Sequence, residues 1–315
     1  MLMLPDIGLL AVLTVLGVLV DLLLGEARRW HPLAGFGSLA IRLERCMNHG
    51  RWRVLKGMFA WLLMVIPPVL CCTGLIRLSE TGSIWLAPAI HVSLLYFSLG
   101  LRSLHDHLIP VAEALQRGDL NQARALTARV VSRDTADADA PALAKAGVES
   151  LLENGNDAVF GTLFWFMVAG GPGALLYRFA NTLDAMWGYR TQRYDRFGKV
   201  SARLDDALNW LPARLTALSY AVLGQSRNAF HCWRTQAPGW SSPNAGPVMA
   251  AGAGALRLRL GGAAVYGGVV EPRPTLGNGP AAGSADITRA WRLVAQASAL
   301  WCAVILGAGL CWWLR

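Results

Sequence analysis

Apolar runs that are almost free of charge recur along this chain and alternate with basic polar segments. The runs lie at residues 7–24, 58–76, 84–101 and 293–314, with a shorter candidate at 211–224. About 20 apolar residues are enough to cross the ~30 Å hydrocarbon core of a bilayer. The pattern therefore predicts an all-α, polytopic membrane protein with about four to six transmembrane or re-entrant helices and helical cytoplasmic segments.

The apolar segment at residues 158–177 differs from these runs because Gly170-Gly-Pro-Gly173 interrupts it. A full span, a broken helix and a re-entrant hairpin all fit this pattern. Irregular backbone at membrane depth persists only where protein or a polar cavity satisfies its hydrogen bonds. Basic residues follow at 178–203, and the positive-inside rule places them in the cytoplasm like the basic residues before the segment. A simple crossing would put the two flanks on opposite sides of the membrane, so the charges favour a broken or re-entrant element, or one paired with a second half-span.

The polar segments between the runs predict the parts of the chain outside the bilayer. Residues 102–157 form a helical cytoplasmic insert, in which 111–131 has the apolar spacing of an amphipathic helix. Residues 225–292 are rich in Gly and Pro and predict ordered loop with short helices. We expect a single integral-membrane domain over residues 1–315, with both segments on its cytoplasmic side.

Composition supports a membrane protein. Hydrophobic residues make up 54% of the chain and charged residues 16%, against about 25% charged in soluble domains. The thirteen Trp suit the membrane interface. A net charge of +9 suits nucleic acid, anionic lipid or phosphorylated substrates. In a chain this apolar, basic cytoplasmic loops explain the charge, so a lipid bilayer is the expected partner and nucleic acid is not.

One predicted helix face carries a cation followed by three carboxylates. Lys145, Glu149, Glu153 and Asp157 are spaced four apart. A solvated face with one ion pair is the simplest interpretation, but the last two carboxylates lie at the edge of an apolar run. Facing carboxylates raise each other's pKa unless a cation lies between them, and Mg²⁺ prefers such oxygen ligands together with water and phosphate. Spacing alone leaves both interpretations open.

A second group of polar residues follows the apolar segment. Asn181 and Asp184 share a helical face, and Arg190, Arg193 and Asp205 come after them. Arginine presents a planar fork that suits phosphate and carboxylate. An interfacial helix on the cytoplasmic side would also be basic, so the position of Asp184 beside apolar residues is the stronger signal.

Together these stretches resemble the membrane-bound adenosylcobinamide-phosphate synthase family of cobalamin biosynthesis. The matching residues are, in chain order, Asp21 to Gly25 with His31-Pro32; Ser132 to Thr135; Glu149-Ser150 with Glu153-Asn154 and Asp157; Asn181 to Asp184 with Gly188-Tyr189; Arg193-Tyr194 with Phe197-Gly198; Arg203 to Asp206 with Pro212 to Arg214; Ser242 to Gly246; Leu260 to Gly262; and Tyr266 to Gly268.

The resemblance implies an ATP- and Mg²⁺-dependent ligase of the bacterial inner membrane, with its active site on the cytoplasmic face. Such enzymes join the carboxylate of adenosylcobyric acid, a corrinoid, to the amine of aminopropanol phosphate and form adenosylcobinamide phosphate. No bound redox cofactor is expected. Other membrane-associated enzymes of the cobalamin pathway are further partners that the resemblance suggests.

The resemblance also indicates site residues. The candidates for catalytic roles are Glu153, Asp157, Asp184 and Asp205, and the candidate Mg²⁺ ligands are Glu149, Glu153, Asp157 and Asp184. The candidates for substrate binding are His31, Arg133, Asp134, Asn154, Asn181, Tyr189, Arg190, Arg193, Arg214, Ser242 and Asn244.

Two other functions compete with the ligase. The first is a non-catalytic membrane sensor or regulator of the same superfamily, which would need the fold but not the carboxylates. The chain does depart from the family pattern, because Gly155, Asn156 and Ala185 replace common hydroxyl residues. The second is a transporter with a broken helix at 170–173. Retention of the carboxylates favours the ligase, and the lack of an internal repeat argues against the transporter.

Overall fold

The computed structural model describes residues 6–26 and 32–315, and the prediction of an all-α fold is confirmed, because the chain is 75% helical with almost no sheet. The α-helices are α1 (Ile7–Leu24), α2 (Pro32–Met47), α3 (Arg53–Glu80), α4 (Leu86–Ser98), α5 (Leu101–Gln116), α6 (Leu120–Thr127), α7 (Ala140–Gly155), α8 (Gly161–Trp187), α9 (Lys199–Leu223), α10 (Ser226–Gln236), α11 (Ala245–Leu256) and α12 (Ser284–Trp313). A π-helical turn, Asn156–Phe160, joins α7 to α8, and a 3₁₀ turn, Ala237–Gly239, follows α10.

Two small antiparallel strand pairs lie in the Gly/Pro-rich region. They are β1 (Leu260–Gly261) with β4 (Thr275–Leu276), and β2 (Ala264–Tyr266) with β3 (Val269–Glu271). Gly267 and Gly268 connect β2 to β3 with φ of +55° and +78°, the left-handed conformation that a tight hairpin requires. Strands of two or three residues are too short to show an alternating pattern, so the sequence predicted loop here.

The chain divides into two compact units. The first comprises Met1–Gly100, Gly161–Asn209 and Cys302–Arg315, and the second comprises Leu101–Phe160 and Trp210–Trp301. The two segments predicted to lie outside the bilayer, 102–157 and 225–292, both belong to the second unit.

Within the described residues, four helical stretches are long and apolar enough to cross a membrane. They are Ile7–Leu24, Arg53–Glu80, Ala140–Trp187 and Ser284–Trp313. The predicted run at 84–101 instead forms the 13-residue helix α4, which ends where Leu99 becomes extended. At 1.5 Å per residue, α4 is about 20 Å long and too short to span a bilayer alone.

Helix α8 doubles back on itself. Its backbone leaves helical geometry at Ala169 (φ −142°) and Gly170 (φ +62°). A Cβ on Gly173 would overlap the carbonyl oxygen of Trp165, and a Cβ on Gly161 would overlap the ring of Tyr177. Residues 165 and 173, like residues 161 and 177, lie at equal distances along the chain from residue 169. In a straight helix, residues 161 and 177 would be about 24 Å apart, so their contact means that the helix folds back at residue 169. Of the three arrangements that the sequence left open, the structure has a broken helix folded as a hairpin.

His91 stabilises the turn of this hairpin. The Gly171 N–H, at the start of the second arm, donates to Nδ1 of buried His91 at 2.8 Å. An accepting Nδ1 carries no proton, so the imidazole is neutral in this arrangement. His91 therefore has the structural, hydrogen-bonded role that its position in an apolar run favours.

The core of the first unit is aromatic. Phe36 of α2 stacks on Phe179 of α8 with ring centroids 4.0 Å apart, and Trp187 meets Phe197 edge to face at 5.1 Å. These rings are buried together with Trp61 of α3. The core thus fixes the second arm of α8, which carries the polar residues predicted at 181 and 184.

Helix α7 is the centre of the second unit. Its side chains Leu143, Val148 and Leu151 are fully buried, and the helix packs against α5, α6, α11 and β1. The Asp139 carboxylate caps its N-terminus by accepting from the Ala142 N–H at 2.9 Å. The single helix predicted over 111–131 is wrong, because Gly118 turns the chain with φ +74° and separates α5 from α6.

The close approach at Gly173 generates a stability prediction. Gly173→Ala should lower the free energy of unfolding by about 2 kcal/mol, because the new Cβ meets a backbone oxygen that cannot rotate away. The measurement is thermal unfolding of the purified protein in detergent. Gly74→Ala in α3 is the matched control, because its Cβ would enter open space, and it should be neutral or stabilising by up to ~1 kcal/mol. Equal effects at the two positions would contradict the hairpin.

Candidate functional site: two buried polar clusters

A buried carboxylate organises the polar side of the second unit. Glu149 of α7 is 1% exposed, and both Arg133 and Arg273 form ion pairs with its Oε2. The Gly261 N–H donates to its Oε1 at 2.7 Å. The two arginine side chains are only 13% and 15% exposed, so the charges are largely removed from water. We call Glu149, Arg133 and Arg273 the Glu149 cluster.

The charge of this cluster extends to Lys145, one turn earlier on α7. Its Nζ donates to the Gly261 carbonyl at 2.9 Å, so Lys145 and Glu149 hold opposite ends of one glycine residue. Three cations thus lie around Glu149, and two of them, Arg133 and Arg273, also act electrostatically on Glu153 one turn further along α7.

A cavity of about 390 Å³ borders Arg133 and Lys145, and we call it the first cavity. Its charged lining residues are two cations and two carboxylates, Arg133, Lys145, Asp134 and Asp137, and the β2–β3 hairpin also lines it. Asp134 holds that hairpin, since its N–H donates to the Val265 carbonyl at 2.8 Å and its Oδ2 accepts from the Gly268 N–H at 2.7 Å. The predicted substrate-binding residues Arg133 and Asp134 are therefore together at one cavity.

Glu153 and Asp157 follow Glu149 on the same helical run and are partly exposed. The π-helical turn begins between them, at Asn156, whose amide donates to Asp157 Oδ1 at 2.9 Å. The Thr216 hydroxyl of α9 donates to Oδ1 of Asn156 at 2.9 Å and fixes the orientation of that side-chain amide. Single π-helical turns inside α-helices are frequent at functional sites. Asn154, another predicted residue, donates to Ser150 at 3.0 Å.

Two of the four predicted Mg²⁺ ligands lie one turn apart at the end of α7. No three His, Cys, Asp or Glu side chains of residues 6–26 and 32–315 converge as a ready ligand set. The prediction of Glu149 as a ligand needs correction, because two guanidiniums and an N–H occupy its oxygens. Glu153 and Asp157 remain, one turn apart and partly exposed. Magnesium in phosphate-transfer sites commonly takes one or two carboxylates, with water and substrate phosphates completing its shell.

The first unit contains its own buried polar cluster. Asp205 of α9 is 7% exposed and accepts from the amides of Asn181 at 3.3 Å and Asn209 at 3.1 Å. The Tyr177 hydroxyl in turn donates to Oδ1 of Asn209 at 2.7 Å. We call these four residues the Asp205 network. The predicted residues Asn181 and Asp205 are thus in contact, and the hairpin in α8 supplies two of the four members.

Two more carboxylates lie in this unit. The Oδ1 of Asp184 lies against the Cα of Gly188, where any larger residue would displace it. Asp206 is half-buried, and burial raises its pKa against the opposing effect of Arg203 and Arg190.

The loop after α8 displays some predicted residues and uses others for structure. Tyr189 is 48% exposed and Arg190 is also exposed. Arg193, by contrast, makes a bidentate pair with buried Glu44 through Nε at 3.0 Å and Nη2 at 2.6 Å. Asn48 donates to Glu44 and to the Arg193 carbonyl. The prediction that Arg193 binds substrate therefore needs correction, because its guanidinium anchors the loop to Glu44.

Arg214, Ser242 and Asn244 form another local assembly in the second unit. Arg214 donates to the Asn244 side chain at 2.7 Å and the Pro243 carbonyl at 3.0 Å. Ser242 Oγ accepts from the Ala245 N–H at 3.1 Å at the start of α11. These residues were predicted to bind substrate, and the contacts assign them to holding a turn. His31 lies outside the described residues.

Comparisons with known proteins identify the family. The family model described as CobD/Cbib protein matches residues 14–294, which include both clusters. The chain belongs to the CobD/Cbib family.

Several members of the CobD/Cbib family are similar over almost their whole length. The cobalamin biosynthesis protein CobD of Stutzerimonas stutzeri is 54% identical over 301 residues, covering 94% of this chain and 97% of that protein. The protein of the same name from Chromobacterium violaceum is 51% identical, with 94% and 95% covered, and that from Clostridium perfringens is 34% identical, with 84% and 86% covered. No solved structure matches significantly.

Sequence reasoning missed three residues that this CobD/Cbib chain uses. Arg273 completes the Glu149 cluster, Asn209 joins the Asp205 network, and Glu44 anchors the 188–198 loop. Arg273 lies 124 residues from its partner, in the Gly/Pro-rich region, where no periodicity marks it. Asn209 is four residues after Asp205 on α9, and this helical spacing was an available signal.

The Glu149 cluster generates a second prediction. Glu149→Gln should lower the free energy of unfolding by about 3 kcal/mol, because it leaves two nearly buried guanidiniums without their counter-charge. Thermal unfolding in detergent measures the change. Glu113→Gln is the matched control, since Glu113 is 57% exposed with Arg117 at 3.9 Å, and it should change stability by less than about 0.5 kcal/mol. A loss at Glu149 no larger than the control's would show that the cluster carries little stability.

The Glu44 anchor generates a prediction about pH. Burial raises the pKa of Glu44, but hydrogen bonds from Arg193 and Asn48 outweigh it and leave the pKa below its ordinary value of 4.5. A lowered pKa in the folded state stabilises the protein above the ordinary pKa, and this contribution is lost as pH falls through the lowered value.

The measurement compares thermal midpoints of the wild type and Glu44→Gln at several pH values. The stability advantage of the wild type should be constant above about pH 5 and shrink at lower pH. An advantage that stays the same or grows on acidification would contradict the lowered pKa.

Proposed function

We propose that this chain is the ATP-dependent amide ligase of cobalamin biosynthesis that joins adenosylcobyric acid to aminopropanol phosphate. The observation that carries the proposal is family membership across residues 14–294, with relatives named cobalamin biosynthesis protein CobD. Of the carboxylates in the family resemblance, Glu149, Glu153 and Asp157 follow one another along α7 and the π-helical turn, and Asp184, Asp205 and Asp206 lie on α8 and α9.

The proposed chemistry has two steps. A carboxylate is a poor acyl donor, so it first attacks the γ-phosphorus of ATP, releasing ADP and forming an acyl phosphate. The amine of aminopropanol phosphate then attacks the acyl carbon, inorganic phosphate leaves, and a base takes the amine proton. The product is the amide adenosylcobinamide phosphate.

Different residues are proposed for the separate parts of this reaction. Arg133 and Lys145 present positive charge at the first cavity, where they would bind and orient a phosphate group. Glu153 and Asp157 would hold Mg²⁺, which supplies neutralisation of phosphate charge when bound. Asp184 and Asp205 are the candidates for holding the amine and accepting its proton.

The membrane helices and the proposed substrates support a proposal for the cellular setting. The bacterial inner membrane is the proposed location, with the site on the cytoplasmic face, where ATP is available. Arg190 and Tyr189 are exposed on the loop after α8 and are proposed contacts for the corrinoid. Other membrane-associated enzymes of the pathway are proposed partners.

Direct assay of the purified protein tests the proposal. The full-length protein in detergent is supplied with adenosylcobyric acid, aminopropanol phosphate, ATP and Mg²⁺, and mass spectrometry follows amide and ADP. The wild type should form both. Asp157→Asn and Asp184→Asn should each lower the rate at least about 100-fold while the protein remains folded.

Asp106→Asn provides the control, because Asp106 is an exposed carboxylate paired with Arg102 on α5 and should leave the rate unchanged. A near-normal rate in either test variant would remove that residue from the site. If the wild type forms no amide and turns over no nucleotide, the ligase is wrong and a non-catalytic sensor of the same superfamily becomes the better explanation.

A further inference from the structure

A second cavity lies beside the first and has no assigned role in the proposed reaction. Its volume is about 320 Å³, and Lys145 and Ala142 line both cavities. Its charged lining residues are Lys145, Arg259 and Asp139, which makes two cations against one carboxylate. The Asp139 carboxylate already accepts from the Ala142 N–H, so its charge is directed at the helix end.

One wall of this cavity is a rigid turn, Gly261-Gly262. Every backbone polar group of the turn is bonded, since Glu149 and Lys145 hold the N–H and carbonyl of Gly261, and Pro274 and Arg273 hold those of Gly262. Gly261 and Gly262 have φ of +69° and +70°. Both backbone N–H groups therefore already have acceptors, so an anion in the cavity would bind side chains and not backbone N–H groups.

The same turn holds Lys145 in place. The Gly261 carbonyl accepts one of the three ammonium protons, and the buried Glu149 fixes the other side of that residue. A Cβ on Gly261 would overlap the Pro274 carbonyl oxygen, so the turn cannot easily accept another residue. The two remaining protons of Lys145 are available at the boundary of the two cavities.

The other lining residues limit the size of a ligand. They are small, including Ala142, Gly262, Thr275 and Ala281. A volume near the lower end of the usual 300–1,000 Å³ for ligand pockets admits a small phosphate ester or part of a nucleotide. A corrinoid macrocycle is far too large.

We propose that the second cavity is a phosphate-binding site in which Lys145 and Arg259 hold the phosphate group of a small substrate. This deepens the proposed function, on which it rests for the substrates' names, while the site itself rests on the cavity. Lys145 then contacts anions in both cavities, so one ammonium group brings two phosphate-bearing groups together. The phosphate belongs either to the amino-alcohol phosphate or to the nucleotide.

Binding measurements on the full-length protein in detergent test the site. Isothermal titration calorimetry uses aminopropanol phosphate and, separately, ATP without a divalent metal. Arg259→Gln and Lys145→Gln should each weaken binding of one of these probes about tenfold, because each removes a charge-assisted hydrogen bond. Arg129→Gln is the matched control in the same unit, an exposed arginine away from both cavities, and should leave both dissociation constants unchanged.

The pattern of losses identifies the ligand. A loss for aminopropanol phosphate alone assigns the cavity to the amino-alcohol substrate, and a loss for ATP alone assigns it to the nucleotide. Arg259 is exposed, so its variant remains informative if Lys145→Gln does not fold. If neither probe binds the wild type, or if neither loses affinity in Arg259→Gln, the proposal is overturned.

Failure of this site and failure of the ligase give different results. If the wild type makes amide and Arg259→Gln binds both probes normally, the ligase proposal stands and the phosphate site is wrong. If the wild type binds a probe through Arg259 and Lys145 but makes no amide, the phosphate site stands and the ligase proposal is wrong.

Discussion

The second unit depends on one buried carboxylate. Removing Glu149 and its two arginines from water costs several kcal/mol per ion, and close pairing with full hydrogen bonding is needed to offset that cost. The partners come from three distant parts of the chain, at 133, 261 and 273. Satisfying one carboxylate therefore fixes the loop before α7 and the glycine turn after α11. Both cavities are built from these fixed segments.

In the first unit, the buried carboxylate of Asp205 accepts hydrogen bonds from two carboxamides, and the phenol of Tyr177 extends the network through Asn209. The break in α8 makes this possible, since the returning arm places Tyr177 against Gly161 and next to Asn209. The hairpin therefore has two consequences, one for packing and one for the polar network. Asn181 lies further along the same arm and reaches Asp205. A straight α8 would separate Tyr177 from Gly161 by several turns.

The polar residues of this CobD/Cbib chain divide into those that hold the structure and those that are available to a ligand. Glu149, Arg193 and Arg214 belong to the first class, because protein atoms occupy their charged groups. Lys145 and Arg259 at the cavities belong to the second. Residues that carry a family resemblance therefore need not contact substrate, since holding a buried turn constrains a sequence equally strongly.

The sequence by itself determined the helical class and the apolar stretches, because these follow from local periodicity. It also determined the family. Only the tertiary structure decided that α8 folds back at Ala169 and Gly170, and that Arg273 pairs with Glu149 across 124 residues. Such pairings are set by burial and long-range packing. A residue's type and spacing show that it can form an ion pair, but the fold decides whether a protein group or a ligand becomes its partner.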